Sequence, residues 1–234
     1  MPTSFLSLPS ELRNKIYALC LSCERPLIPW NDYNQPDGLA LGLLRTNKAI
    51  QVEANSIFYA SNLFDLSESH PYYVTAFFET IGSRNADRIR HIRLYLPRIE
   101  DLDSGHFVLE RNDMAIVELV QEYCTNLITL TAYRDIEDDM ELILDEVDNQ
   151  ELITEALQQL DAHFRAIPSL QEIILEVHED GPSSDIRREV ESLGWEINVI
   201  GFGGTDLLFS DSDSSWDWDE EDDYDDDGYE HDED

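Results

Sequence analysis

From residue 71 to residue 204 the chain alternates between two hydrophobic periods, and this alternation restricts its fold more than any other feature. Val74, Phe77, Phe78 and Ile81 recur at helical spacing and are followed by a strand-like run over 89–96. Ile116, Leu119, Val120 and Tyr123 repeat the helical spacing ahead of a second strand-like run over 126–131. Leu152, Ala156, Leu160, Phe164 and Ile167 form a third stripe, after which Pro168, Ser169 and Leu170 lead into Ile173, Leu175 and Val177. A last short helix near 185–193 precedes a strand over 195–200. Helix and strand in turn predict βαβ units and a mostly parallel sheet, an α/β class with α+β as the variant. The strand centres lie about 36, 44 and 25 residues apart, so the expectation is a small, irregular, curved α/β layer rather than a regular horseshoe.

Ahead of this region lie two short helical blocks. In the first, Pro9 suits an opening turn, where its missing N–H is no loss, and Glu11 favours the positive end of the helix dipole. Leu8, Leu12, Ile16, Leu19 and Cys20 recur at helical spacing as one apolar stripe. In the second, Thr46 is placed to cap, and Ile50, Ala54, Ile57 and Phe58 make a stripe that ends in the strand-like Asn62, Leu63, Phe64, Asp65 and Leu66. Helices this short do not persist alone in water, so the two are expected to bury against each other. The strand that follows needs a sheet to join, which ties both blocks to residues 67–100.

The pattern L-P-x-E-L-x-x-x-I-x-x-x-C over Leu8–Cys20 resembles the opening helix of an F-box. Its pairing with L-L-R-T-x-x-x-I-x-x-E-A-x-x-I-F-Y-x-x-N-x-F resembles the F-box-like proteins of filamentous fungi, some of which carry an E-x-R motif that Glu11, Leu12 and Arg13 match. The resemblance covers roughly residues 5–66; residues 22–41 separate its helices by more than a compact F-box has. It implies a non-catalytic adaptor that recruits a protein substrate to a cullin-type ubiquitin ligase. It also implies that Leu8, Pro9, Glu11, Leu12 and Ile16 bind the ligase adaptor protein. The phrases N-L-I-T-L-T and S-L-Q-E-I-I-L-E-V are similar to degenerate leucine-rich-repeat strands, so the α/β layer would carry the recognition surface. The alternative is a protein-interaction scaffold with no ligase link, its acidic tail binding basic partners.

Charge falls into zones. Residues 1–100 carry ten acidic and ten basic side chains; residues 101–210 carry 26 acidic and five basic; residues 211–234 carry fifteen acidic and no Lys or Arg. The total of −36 repels phosphate backbones, so nucleic acid is not an expected partner, whereas a basic protein substrate is. Arg84, Arg88, Arg90 and Arg93 form a small basic stretch, which reads as a strand with apolar residues inward and arginines on a solvated face. No apolar run reaches about 18 residues and no signal-peptide pattern opens the chain. The expectation is an intracellular protein of the cytoplasm or nucleus, with no membrane partner.

No motif names a reaction, and neither a catalytic residue, a cofactor nor a metal is expected. Gly201, Gly203 and Gly204 follow the last strand and open no helix. The six histidines are scattered without ligand spacing. Cys20 and Cys23 have the spacing of a zinc or redox half-site but no second pair, and read as core residues. The acidic clusters at 135–139 and 145–148 read as solvated surface. The tail reads as disordered, since its charge is self-repelling and it lacks branched apolar residues. Its Trp216, Trp218, Tyr224 and Tyr229 among acids match interaction segments, and Asp223, Asp225, Asp227 and Asp234 match calcium-loop spacing without the apolar residue or helix of a folded EF-hand. The expected organisation is an F-box-like helical module at 1–66, an α/β recognition domain at 67–209 and an acidic tail at 210–234.

Overall fold

A computed structural model describes residues 4–30, 38–67, 69–100, 106–133, 150–178 and 182–200. All belong to one compact unit spanning residues 1–201. The expectations for the tail, for the glycines after residue 200 and for the acidic clusters at 135–139 and 145–148 lie outside the described residues.

The alternating region folds as its periodicity predicts. Five strands, β1 (Leu63–Asp65), β2 (His91–Tyr95), β5 (Thr129–Tyr133), β6 (Glu172–His178) and β7 (Glu196–Ile200), form one parallel sheet in the order β1-β2-β5-β6-β7. Spatial order equals chain order, so no strand inserts between two earlier ones. Between β2 and β5, two short strands absent from the sequence expectation, β3 (Ile99–Glu100) and β4 (Val108–Leu109), pair antiparallel. Arg98 beside them makes ion pairs with Glu110 and Asp113.

The helices of this layer are α3 (Pro71–Ile81), α4 (Ser83–Ala86), α5 (Arg111–Tyr123), α6 (Gln150–Arg165) and α7 (Ser184–Ser192). Local chemistry sets their ends. Pro71 opens α3, where the His70 Nδ1 accepts from the Tyr72 N–H at 3.2 Å, and Gly82, at a φ of 76°, closes it. The Glu110 carboxylate caps α5 by accepting from the Asp113 N–H at 2.7 Å. Ser183 caps α7, and Gly194, at a φ of 79°, turns the chain into β7.

Register assigns each strand two faces. Ile92, Leu94, Leu130, Ala132, Ile173, Leu175 and Val177 share one face and are buried in a single core. Val74 and Phe78 of α3, Val117 and Val120 of α5, Ala156, Leu160 and Phe164 of α6, and Ile186 and Val190 of α7 complete it. The layer is therefore a sheet whose helices cover one side. Trp195 fastens the last unit: it is buried against Phe164, and its indole N–H donates to the Asp161 carboxylate at 2.7 Å.

The N-terminal blocks are α1 (Ser10–Leu21) and α2 (Lys48–Ser61). Tyr17, Leu21, Ile50 and Ala54 form a second, smaller core between them. Asn47, not Thr46, caps α2: its Oδ1 accepts from the N–H groups of Ala49 and Ile50 at 3.0 Å, while the Thr46 hydroxyl donates to the Leu43 carbonyl. As expected, the strand after α2 joins the sheet, with Phe64 opposite Ile92. Leu27 extends the sheet by a parallel bridge to Phe64, its N–H and carbonyl bonding Leu63 and Asp65 at 2.8 Å.

Candidate docking and recognition surfaces

The helix pair is held by an ion pair between Arg13 of α1 and Glu53 of α2. The Arg13 guanidinium reaches across to Glu53 of α2, with Nη2 2.5 Å from Oε1 and Nε 2.9 Å from Oε2. Arg13 Nη1 also donates to the Leu8 carbonyl at 2.6 Å, and the Tyr17 hydroxyl donates to Glu53 Oε2 at 3.0 Å. A bidentate fork of this kind fixes orientation as well as attraction. The hydrogen bonds from Arg13 hold the Glu53 carboxyl below the usual carboxylate range, and Glu53 in turn raises the Arg13 value. Burial, reinforced by the bond to Glu53, pushes the Tyr17 phenol up.

A second fastener is Asn62, fully buried at the end of α2. Its Nδ2 donates to the carbonyls of Leu21 and Phe58, each at 2.8 Å, and its Oδ1 accepts from the Cys23 N–H at 2.9 Å. One amide thus satisfies the C-terminus of α1 and the chain leaving it. In the sequence Arg13 has a place in the E-x-R match, Glu53 in the second block of the resemblance and Asn62 in the strand-like run, none of them with a bonding role. The bonds that matter run 40 positions from Arg13 to Glu53 and 41 from Asn62 to Leu21, and only Arg13, four residues ahead of Tyr17, carried a local signal.

These fasteners decide which side of α1 faces inward, and the outcome reverses the sequence expectation. Arg13, Tyr17 and Leu21, four apart, form the buried line against α2. The predicted stripe lies about 100° or more around the helix and faces outward. Leu12 is 46% exposed, Ile16 37% and Leu19 85%, and Leu6, just ahead of the helix, is 43% exposed. Pro9 and Glu11 are exposed and Leu8 is half-buried. Of the stripe, only Cys20 packs against the small core. The physical reason is that apolar spacing identifies a face but not its neighbour; here the inward face is completed by a paired Arg and a Tyr. Of the five residues expected to bind the adaptor, Pro9, Glu11, Leu12 and Ile16 are exposed, and Leu8 is not.

The second surface is the side of the sheet opposite the helices. Register places Asp65, Arg93, Thr131, Ile174 and Glu196 in one row across it, with Tyr95, Tyr133, Glu176 and Asn198 in the next row and His91, Thr129 and Glu172 in the row before. None of these side chains belongs to the apolar core. Arg93 organises the face: Nη1 lies 3.0 Å from Asp65 Oδ2, and Nε lies 2.9 Å from Glu176 Oε2 without hydrogen-bond alignment. Its guanidinium carbon sits 3.8 Å above the centroid of the Tyr133 ring, which stacks on Tyr95. Arg93 faces outward as the strand pattern predicted, but it is not solvated: only 14% of its side chain is exposed. Arg90 likewise donates to the Asn126 carbonyl at 2.5 Å, so these arginines serve the fold.

Thr129 donates to the Glu172 carboxylate at 3.0 Å. Burial lowers the His91 value, favouring its neutral form. Asp65, Glu172, Glu176 and Glu196 thus face one permanent cation, Arg93, among the described residues of this surface. Among the described residues no group of three or more His, Cys, Asp or Glu is arranged to hold a metal ion. No described helix is long and apolar enough to cross a membrane.

No protein-family model matches the chain, and no curated protein or solved structure matches it either.

Proposed function

We propose that this chain is a non-catalytic F-box-like adaptor, with α1 and α2 docking a ligase adaptor protein and the α/β layer presenting a protein substrate for ubiquitination. The observation that carries this reading is the outward apolar face of α1. Leu12, Ile16 and Leu19 project from a helix whose inner side is already filled by Tyr17 and Leu21 and held by Arg13 and Glu53, and Leu6 is exposed just ahead of it. Adjacent exposed aliphatic side chains on a rigid support mark an interaction site. Leu8, Pro9 and Glu11 would complete the contact, as the F-box resemblance implies. The open side of the sheet supports the second half of the reading, because a row of polar and aromatic side chains on rigid strands can meet a partner without rearrangement.

The test is a calorimetric titration with the purified adaptor subunit of a cullin-type ligase. The wild-type chain should bind, and Leu12→Asp should abolish binding by desolvating a charge in the centre of the contact. The combined change Leu8→Asp and Pro9→Ala should do the same. Failure of the folded wild type to bind would remove the ligase link and favour an interaction scaffold.

A further inference from the structure

The open face of the sheet has a particular chemistry around Ile174. Ile174 is half-buried and stands in register with Glu196 of β7, while Glu172 and Glu176 flank it two residues away on its own strand. Strand spacing puts these three carboxylate-bearing positions within roughly 5–7 Å of Ile174 along the backbone. The next strand offers Thr129 beside Glu172 and Tyr133 beside Glu176. An apolar centre framed by three carboxylates suits a side chain with an aliphatic stem and a cationic head. Arg93 reaches one member of the frame, Glu176, and shares its charge with Asp65, so Glu172 and Glu196 have no permanently charged basic partner among the described residues. No described helix packs on this face.

We propose that the open sheet face, centred on Ile174, Glu172, Glu176 and Glu196, binds an extended arginine- or lysine-rich segment of a partner protein. The occupant is chosen by charge complementarity: among the described residues of the face, four carboxylates stand against one permanent cation, Arg93, within a chain of net charge −36. Arg93 pairs with Asp65 and Glu176 and leaves Glu172 and Glu196 without a permanently charged basic partner among those residues. An extended segment directs alternate side chains to the same side. Its cationic residues would lay their stems on Ile174 and Tyr133 and place their heads on Glu172 and Glu196. The inference rests on the substrate-presenting half of the function proposed above and names the chemistry of that substrate.

The experiment uses the full chain and a fluorescein-labelled octapeptide of alternating arginine and serine, followed by anisotropy at physiological ionic strength, where distant charges are screened. Glu172→Gln with Glu196→Lys should weaken binding about tenfold, and Glu196→Lys alone, at an exposed position, should weaken it about threefold. A control of equal charge change on the helical side, Glu118→Gln with Glu155→Lys, both exposed, should leave binding within about twofold. Equal loss in both double variants would overturn the proposal, since attraction would then come from the overall charge. So would the absence of binding by the wild type, or equally tight binding of the same peptide with glutamate in place of arginine. The titration contains no ligase component, so its failure leaves adaptor docking standing, and failure of docking leaves this site standing.

Discussion

Leu12 and Tyr17, five positions apart on α1, point to opposite sides of the helix: Leu12 stands in the outward apolar row, and Tyr17 is wholly buried between α1 and α2. Function and stability therefore separate on one short helix. Leu12→Asp should change the unfolding free energy by no more than about 0.5 kcal/mol while eliminating adaptor binding. Tyr17→Ala should cost about 3–5 kcal/mol through the cavity it leaves. Urea melts of the two variants beside the titration measure both effects; a large loss of stability in Leu12→Asp would mean that the outward row is packed after all.

Asn62 should be among the least replaceable polar residues in the protein. Asn62→Ala leaves the Leu21 and Phe58 carbonyls and the Cys23 N–H without their side-chain partner in a buried place, at a cost of about 2–4 kcal/mol. Asn62→Asp should be no better, because it turns an acceptor toward two carbonyl oxygens. The expected signature is a lower denaturant midpoint with an unchanged slope, as for a purely native-state loss.

The Arg13–Glu53 pair predicts a pH dependence with a definite sign. The Glu53 pKa is depressed in the fold, so its stabilising contribution is complete above the unfolded value, near pH 4. That contribution is lost as pH falls through the lower folded value. The stability difference between the wild type and Glu53→Gln should therefore be constant from about pH 5 to 7 and shrink toward zero in stronger acid. A difference that grew on acidification would show that the carboxylate is not held in its charged form by Arg13.

Arg93 is expected to be structural rather than ligand-seeking. Arg93→Leu would leave Asp65, only 8% exposed, without its cation and should cost about 2–4 kcal/mol. Adding Asp65→Asn should restore part of the loss, since the stranded charge is then gone. Thermal melts of the two single variants and the double one give the coupling directly.

The sheet and its helices were readable because each stripe and run had the right period and a compatible partner next to it in the chain. Val74 and Phe78, Ile116 and Val120, Leu160 and Phe164 are all buried where the pattern places them. The parallel pairing followed from alternation alone. What the sequence did not disclose depends on contacts made at long range. Tyr17 meets Glu53 across 36 positions and Arg13 meets it across 40, so the inner side of α1 contains a charge that periodicity counts as outer. The β3–β4 pair has two residues on each side, too few to show a period. Asn47 prevailed over Thr46 as cap because the helix starts one residue later than the apolar stripe suggests. Which side of α1 the predicted docking residues occupy was not legible from spacing, because the inward side is set by Glu53, 40 positions from Arg13.

The sheet order β1-β2-β5-β6-β7 has a consequence for how this chain is made. Among the described residues, every new strand of the five-stranded sheet is added to an edge that already exists, so a nascent chain emerging from the ribosome does not have to reopen one of its pairings to admit the next. The α1–α2 pair and β1 are available first, and each subsequent helix–strand unit can settle on its predecessor as it appears. Assembly proceeds as accretion from one edge, and β7, the outermost rung of the described sheet, is the place where a damaged chain gives up least of what has already been built.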